Sequence, residues 1–308
     1  MFLGIDTSCY TTSLAVVDTQ GRLLSDQRQL LKVPPGQRGL RQADGVFQHL
    51  QNLPLLVAQV KADVSKFDLK AIAVSSSPRS LFGSYMPVFV TGLSYARAFA
   101  NILAVPCYEL SHQEGHVLAG LWSAEVDWEE FYALHVSGGT TELLQVNLAD
   151  RIKILQLGGS TDLHAGQFID RVGVALGFPF PAGPSLEKLA SNAGSRLINV
   201  PVAVKGLNLS FSGPETYVQR LIKSETVEPA LVARGVERCI AESLRQLVRN
   251  ASQHHGTKPI LFVGGVMANK YIRQYLTQNL NLNCAFAEAL YARDNAVGAA
   301  LYALRKAR

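Results

Sequence analysis

No apolar run in these 308 residues reaches 18, so no segment is long enough to span a bilayer as a helix. The four cysteines, Cys9, Cys107, Cys239 and Cys284, are scattered and contain no Cys-x-x-Cys pair. Their plain reading is a reducing, cytoplasmic setting. The start, Met1-Phe2-Leu3-Gly4-Ile5-Asp6, has no basic segment and reads as a strand rather than a signal peptide. No linker, low-complexity tract or disordered tail is evident, and no Ser-His-Asp or Cys-His set for nucleophilic catalysis stands out. Charged residues are scarce at 17%, against 48% apolar, a globular and fairly dry composition. The length suggests two domains rather than one core.

A net charge of +5 permits a polyanionic partner without establishing one. Arg234, Arg238, Arg245 and Arg249 recur at helical spacing, with Leu231, Ile240, Leu244, Leu247 and Ala251 on the other faces. Such a stripe reads either as a solvated face or as a contact for phosphates.

The most specific chemistry lies in Ser111-His112-Gln113-Glu114-Gly115-His116. Imidazoles four residues apart share one face of a helix and can reach a single metal ion. The zinc-protease pattern His-Glu-x-x-His is the obvious competitor, but there the acid directly follows the first histidine. Here Gln113 takes that place, and Glu114 points about 200° away from His112, so it cannot sit over the same ion.

Two strand–polar turn–strand units stand about 130 residues apart. The first runs from the apolar strand 2–6, through Thr7-Ser8-Cys9-Tyr10-Thr11-Thr12, to a return strand at 13–18. The second runs from 132–136, through Ser137-Gly138-Gly139-Thr140-Thr141, to 143–146. Each turn alone could be a simple hairpin; the pair suggests an internally duplicated α/β chain whose opposed turns hold a nucleotide. Helices are expected at 41–64, with Phe47, Leu50, Leu53, Leu56, Val57 and Val60 inward, and at 88–102, 162–176 and 185–192. Strands are expected at 69–75, 104–108 and 259–263. Gly264-Gly265 at a strand-to-helix turn would admit a sugar or base against bare backbone.

In this order the motifs resemble the TsaD-type tRNA threonylcarbamoyladenosine synthase family, formerly named O-sialoglycoprotein endopeptidase, within the actin/sugar-kinase/Hsp70 (ASKHA) fold group. The matching stretches are Gly4 to Cys9, His112 to His116, Val136 to Gly139, Asp162 through Gly166 to Asp170, and Phe180 to Pro184 with Glu187 to Ala190. Ser210 to Gly213, Gly264 to Val266 with Ala268-Asn269, and Asp294 to Ala296 complete the set. The resemblance implies a duplicated two-lobe α/β fold with a nucleotide cleft between lobes. The first lobe would cover 1–125 and the second 126–308, the last helix packing back on the first.

It further implies that His112, His116 and Asp294 bind one iron or zinc ion, with His135, where some members place a tyrosine, read as a fourth ligand or else as an inward-facing strand histidine with a hydrogen-bond partner. Ser137, Gly138 and Gly139 would contact phosphate or carbamate oxygens. Asp170 and Glu187 would meet the ribose, Gly183 and Gly265 would leave room for the nucleoside, and Asn269 would meet the base or sugar. The implied reaction moves a threonylcarbamoyl group from threonylcarbamoyl-AMP to N6 of the adenosine just 3′ of a tRNA anticodon. The implied partners are tRNA, an adenine nucleotide (threonylcarbamoyl-AMP or ATP) and an ASKHA-type subunit of a tRNA-modification complex, with no membrane.

The chain departs from the family pattern in its first lobe: Tyr10-Thr11 replaces an acidic pair, Pro78-Arg79-Ser80 replaces Gly-Pro-Gly, and only His49 remains of the stretch near 40–49. Leu163, His164, Gln167 and Thr140 also differ. Two other readings therefore stand beside a tRNA modifier. One is a paralogue that transfers a carbamoyl-type group to another acceptor, and the other a non-catalytic partner subunit.

Overall fold

A computed structural model describes residues 1–8, 10–33, 40–64, 68–149 and 151–308. Cys9 lies outside these residues; Cys107, Cys239 and Cys284 are free thiols. The chain divides into two compact units, Met1–Glu125 with Leu290–Arg308, and Val126–Ala289.

In the first unit, β1 (Phe2–Asp6) and β2 (Thr11–Val17) are buried at every residue, as strands covered on both faces must be. They continue antiparallel into β3 (Leu23–Leu30). Helix α1 (Gln42–Asp63), strand β4 (Ala71–Ser77), helix α2 (Pro87–Leu103), strand β5 (Cys107–Ser111) and helix α3 (His112–Ser123) follow. The sheet order is β3-β2-β1-β4-β5, with β1, β4 and β5 parallel. The inward face of α1 is Gly45, His49, Leu53, Leu56 and Val60. It therefore differs from the expected stripe: Phe47 is 60% exposed and Leu50 is 44% exposed. His49 can turn inward because Thr12 Oγ1 lies 2.8 Å from its Nδ1, giving the buried ring a partner. The strand after α2 starts later than its apolar run suggests. Ala104 takes a left-handed cap (φ 52°) on α2, and β5 begins only at Cys107.

The second unit contains β6 (Glu130–Val136), β7 (Thr141–Asn147), β8 (Lys153–Ser160), α4 (Ala165–Ala175), α5 (Gly183–Ser191), β9 (Ala203–Lys205) and β10 (Asn208–Ser210). It continues with α6 (Ser212–Ser224), α7 (Pro229–His255), β11 (Ile260–Val263), a 3₁₀ turn (Gly265–Ala268), α8 (Lys270–Asn279) and β12 (Cys284–Phe286). Its sheet runs β12-β11-β6-β7-β8-β10-β9. The segment β8-β7-β6-β11-β12 repeats the first sheet's order and directions, two antiparallel pairs and two parallel ones. That is the internal duplication suggested by the repeated turns. Helix α4 starts later than the sequence pattern suggests, because Asp162 instead accepts from the Phe211 N–H at 3.0 Å and His164 becomes the N-cap.

The chain then returns to the first unit as α9 (Val297–Lys306), which packs on β1, β2, β4 and α3. A Cβ on Gly4 would lie 2.2 Å from the Ala296 carbonyl oxygen, so bare backbone lets α9 seat directly on β1.

Candidate functional site

Strands β1, β4 and β5 are parallel, and their carboxyl ends carry Asp6, Ser75 and Ser111. Ligands in open α/β sheets gather at such ends. Helix α3 leaves β5 without a loop. Ser111 is its N-cap: the Ser111 hydroxyl accepts from the Glu114 N–H at 3.2 Å, and Glu114 Oε2 accepts from the Ser111 N–H at 2.6 Å. Glu114 is thus committed to the cap and turned away from the histidines, as its helical angle requires. With the first turn fixed, His112 and His116 project from the same face.

Asp294 arrives from the segment before α9. Asn295 holds that segment: its side chain donates to the carbonyls of Tyr291 and Arg293 at 3.0 and 2.7 Å and accepts from the Val297 N–H at 2.9 Å. Helices α3 and α9 cross backbone to backbone, where a Cβ on Gly298 would lie 1.9 Å from the Gly115 oxygen. This contact brings the start of α9 beside His112 and His116.

The donor atoms converge. Nε2 of His112 lies 2.9 Å from Nε2 of His116, and each is 3.5 Å from Asp294 Oδ1. Bonds of about 2.0–2.1 Å to one tetrahedral ion place its donors about 3.3 Å apart. Two imidazoles and a carboxylate at these separations suit iron or zinc. Among the described residues this is the one group of three or more such side chains drawn together.

His112 is aimed by a residue the sequence reading left without a role. Asp6 Oδ2 lies 2.8 Å from His112 Nδ1, which turns Nε2 toward the shared point. Asp6 is itself held by the Ser75 hydroxyl at 2.6 Å and the Ser8 N–H at 2.8 Å. Burial alone would push the His112 pKa down, but the Asp6 charge and the hydrogen bonds to Asp294 and Asp6 hold it well above the ordinary value. Burial would push the Asp294 carboxyl up, and the hydrogen bonds and charges of His112 and His116 pull it far below the usual range instead. The signal for Asp6 was available: an acid closing a strand that is otherwise apolar.

His135 lies on β6 in the second unit, half-buried, opposite Glu142 and beside Val263 of β11. The other expected residues also lie in the second unit, at the carboxyl ends of β6 and β11 and on the helices beside them. The turn after β6 closes on itself, the Ser137 N–H donating to Thr140 O at 2.7 Å and the Gly139 N–H to Ser137 Oγ at 3.2 Å. The Gly166 N–H of α4 donates to Ser137 O at 3.1 Å, setting the turn on that helix. Side chains added at Gly138, Gly139 or Gly265 would meet nothing within 4 Å. Asp170 accepts from the Ala182 N–H at 2.8 Å, beside Gly183.

Glu187 and Asn269 meet at the start of α8. Glu187 Oε1 accepts from the Lys270 N–H at 2.8 Å, and Asn269 Oδ1 accepts from the Ile272 N–H at 2.9 Å. Asn269 Nδ2 also donates to Glu237 at 2.7 Å. Glu237 is buried against Arg234, whose Nη1 is 2.8 Å away. Burial pushes the Glu237 pKa up to about 7, against the lowering by the Asn269 hydrogen bond and the Arg234 charge.

The arginine stripe of α7 is neither a solvated face nor free for phosphate along most of its length. Arg234 lies 4.1 Å from the Tyr271 ring, Arg238 lies 4.1 Å from that of Tyr275, and Arg245 pairs with Glu242. The tyrosines of α8 supply the flat faces that the sequence pattern of α7 alone could not show.

Comparison with known proteins places this geometry in context. The TsaD family model, described as tRNA N6-adenosine threonylcarbamoyltransferase, matches residues 44–301. The tRNA N6-adenosine threonylcarbamoyltransferase of Christiangramia forsetii is 31% identical over 312 residues, covering 96% of this chain and 89% of the relative. The protein of the same name from Wolbachia pipientis wMel is 30% identical, covering 96% of this chain and 90% of the relative. Among solved structures, the activator of the 2-hydroxyisocaproyl-CoA dehydratase from Clostridium difficile superposes with a TM-score of 0.57, over 100% of this chain and 96% of that one, at 14% identity. That likeness is one of fold, the two-lobe α/β architecture of the ASKHA group. The match across most of the chain shows that it belongs to the tRNA N6-adenosine threonylcarbamoyltransferase family.

Proposed function

We infer that this chain moves a threonylcarbamoyl group from threonylcarbamoyl-AMP to N6 of the adenosine 3′ of the tRNA anticodon, with one bound iron or zinc ion. The convergence of His112, His116 and Asp294 within a chain of this family carries the reading. In it these three side chains hold the ion and His135 provides a fourth donor. When bound, the ion supplies Lewis acidity at the mixed-anhydride carbonyl or the leaving phosphate.

The protein's own groups do the rest. The turn Ser137–Gly139 contacts the phosphate or the developing oxyanion, the Gly138 N–H acting as donor while the Ser137 and Gly139 N–H groups hold the turn. Asp170 and Glu187 orient the ribose, the open space at Gly265 and the bare backbone of Gly183 accommodate the nucleoside, and Asn269 meets the base or sugar. No side-chain nucleophile is required, because the attacking amine belongs to the RNA. The setting is the cytoplasm, with an ASKHA-type subunit as partner.

A second reading, a carbamoyl-type transfer to a different acceptor, is favoured by the departures at Tyr10, Thr11 and 78–80. One assay separates the two. Incubation with threonylcarbamoyl-AMP, unmodified tRNA and the partner proteins should yield threonylcarbamoyladenosine, detected by mass spectrometry of the digested RNA. Turnover of the adenylate with no modified nucleoside would favour the other acceptor.

A further inference from the structure

The loop at 78–86 between β4 and α2 puts three large apolar side chains into solvent. Leu81 is 63% exposed, Tyr85 is 67% exposed, and Phe82 is completely exposed. Displaying this much apolar surface within five residues is unfavourable in water and marks a contact surface. The loop is also shaped by its own bonds. The Arg79 N–H donates to Ser84 Oγ at 3.1 Å, the Ser84 N–H to Leu81 O at 3.0 Å, and the Ser77 hydroxyl to Arg79 O at 3.1 Å. Its base is fastened to the candidate metal centre of the same unit. The Gln113 N–H donates to Pro78 O at 3.2 Å, and the Ser80 hydroxyl meets that of Ser111 at 3.1 Å. Pro78 and Ser80 thus bracket the residues that present His112, whose ring lies 6.2 Å from that of Phe89 at the start of α2.

Charge narrows the choice of partner. Between Asp68 and Glu109 the sequence contains no Asp or Glu; Lys70 and Arg97 pair with those two flanking acids, and Arg79 lies on the loop itself. No carboxylate on the loop, or on the helix it feeds, repels a polyanion. Two exposed aromatic rings close together form a platform for unpaired bases, the ring faces stacking on the bases.

We propose that Phe82 and Tyr85 stack on unpaired bases of the acceptor RNA, flanking the adenosine presented to the site, and so fix which loop of the RNA is read. This rests on the tRNA reading above and adds the element that grips the acceptor. In this proposal Phe82 and Tyr85 grip the RNA and take no part in the transfer itself.

The test uses the full chain with metal and partner proteins. Phe82→Ala and Tyr85→Ala should each raise KM for unmodified tRNA by about tenfold. KM for threonylcarbamoyl-AMP, kcat and metal content should stay unchanged, and Phe82→Trp should restore KM. Phe82→Trp also reports directly: its extra indole emission, read against the wild-type background of Trp122 and Trp128, should be quenched by an unmodified anticodon stem-loop RNA. Transfer that proceeds with the KM for tRNA unaltered in both alanine variants would overturn the loop assignment while leaving the tRNA reading intact. Quenching without any transfer would retain the loop and overturn the reading. Unaltered RNA affinity combined with loss of a partner protein from the purified complex would make the loop a protein-docking element and overturn the proposal.

Discussion

His112 faces two carboxylates, Asp6 through Nδ1 at 2.8 Å and Asp294 through Nε2 at 3.5 Å. The first fixes the tautomer and the ring plane, so that the lone pair on Nε2 is the one offered to an ion. Asp6→Asn keeps the shape of this contact and removes the charge. It should weaken metal binding by about 10–100-fold, measured by competition with a chelator, while leaving the circular dichroism spectrum unchanged. Unchanged affinity would remove Asp6 from the centre.

Glu237 provides a second residue-scale prediction, this time of stability. Its carboxyl is raised from an ordinary 4.5 to about 7 in the folded chain. Between these values the folded state binds the proton and the unfolded state does not. The proton's contribution is therefore full below about 4.5 and is lost as pH rises through about 7. Measured by denaturant unfolding across that window, the stability of the wild type relative to Glu237→Gln should fall by at most about 3 kcal/mol, a comparison that cancels other groups titrating there, such as His49, which burial lowers to about 4. An equal slope in the variant would assign the titration elsewhere.

At this scale the two histidines were legible because helical spacing declares them. Asp6 was only partly legible: closing an apolar strand marks it, but its partner His112 lies far along the chain. Asn269 was only partly legible: the sequence suggests a ligand contact, while the structure adds a capping bond and a bond to Glu237.

The elements matter through how closely they approach. Helices α3 and α9 can cross at backbone contact only because Gly298 carries no side chain, whose Cβ would lie 1.9 Å from the Gly115 oxygen. Gly298→Ala should force α9 outward, costing about 1–3 kcal/mol as overpacking and carrying Asp294 away from the histidines. The variant should show a lower Tm together with a loss of the stabilisation that added metal gives the wild type. A lower Tm with full metal stabilisation would separate the helix crossing from the centre. The capping box at Ser111 and Glu114 could be read from four residues, since its bonds are local. The crossing could not, because nothing near Gly298 in the sequence names its partner. The same distinction explains the inward face of α1. The apolar pattern favoured Phe47 and Leu50, whereas the inward turn of His49 is matched by its hydrogen bond with Thr12 of β2.

Across the whole molecule, two units repeat one sheet plan, and the chain closes by returning α9 to the unit where it began. The duplication was legible because each half opens with an apolar strand, a small-residue turn and a return strand. The proposed division of labour rests on the order of the motifs: His112, His116 and Asp294 belong to the first unit, whereas His135 and all the residues proposed for the nucleotide belong to the second. The centre links this plan to chemistry, since His112, His116 and Asp294 are joined by the return of the chain. Elemental analysis of the purified full-length protein should find one iron or zinc ion per chain in the wild type and only a trace in His112→Ala, with both proteins folded. A clean wild-type preparation without stoichiometric metal, or a His112→Ala variant that retains it, would contradict the assignment.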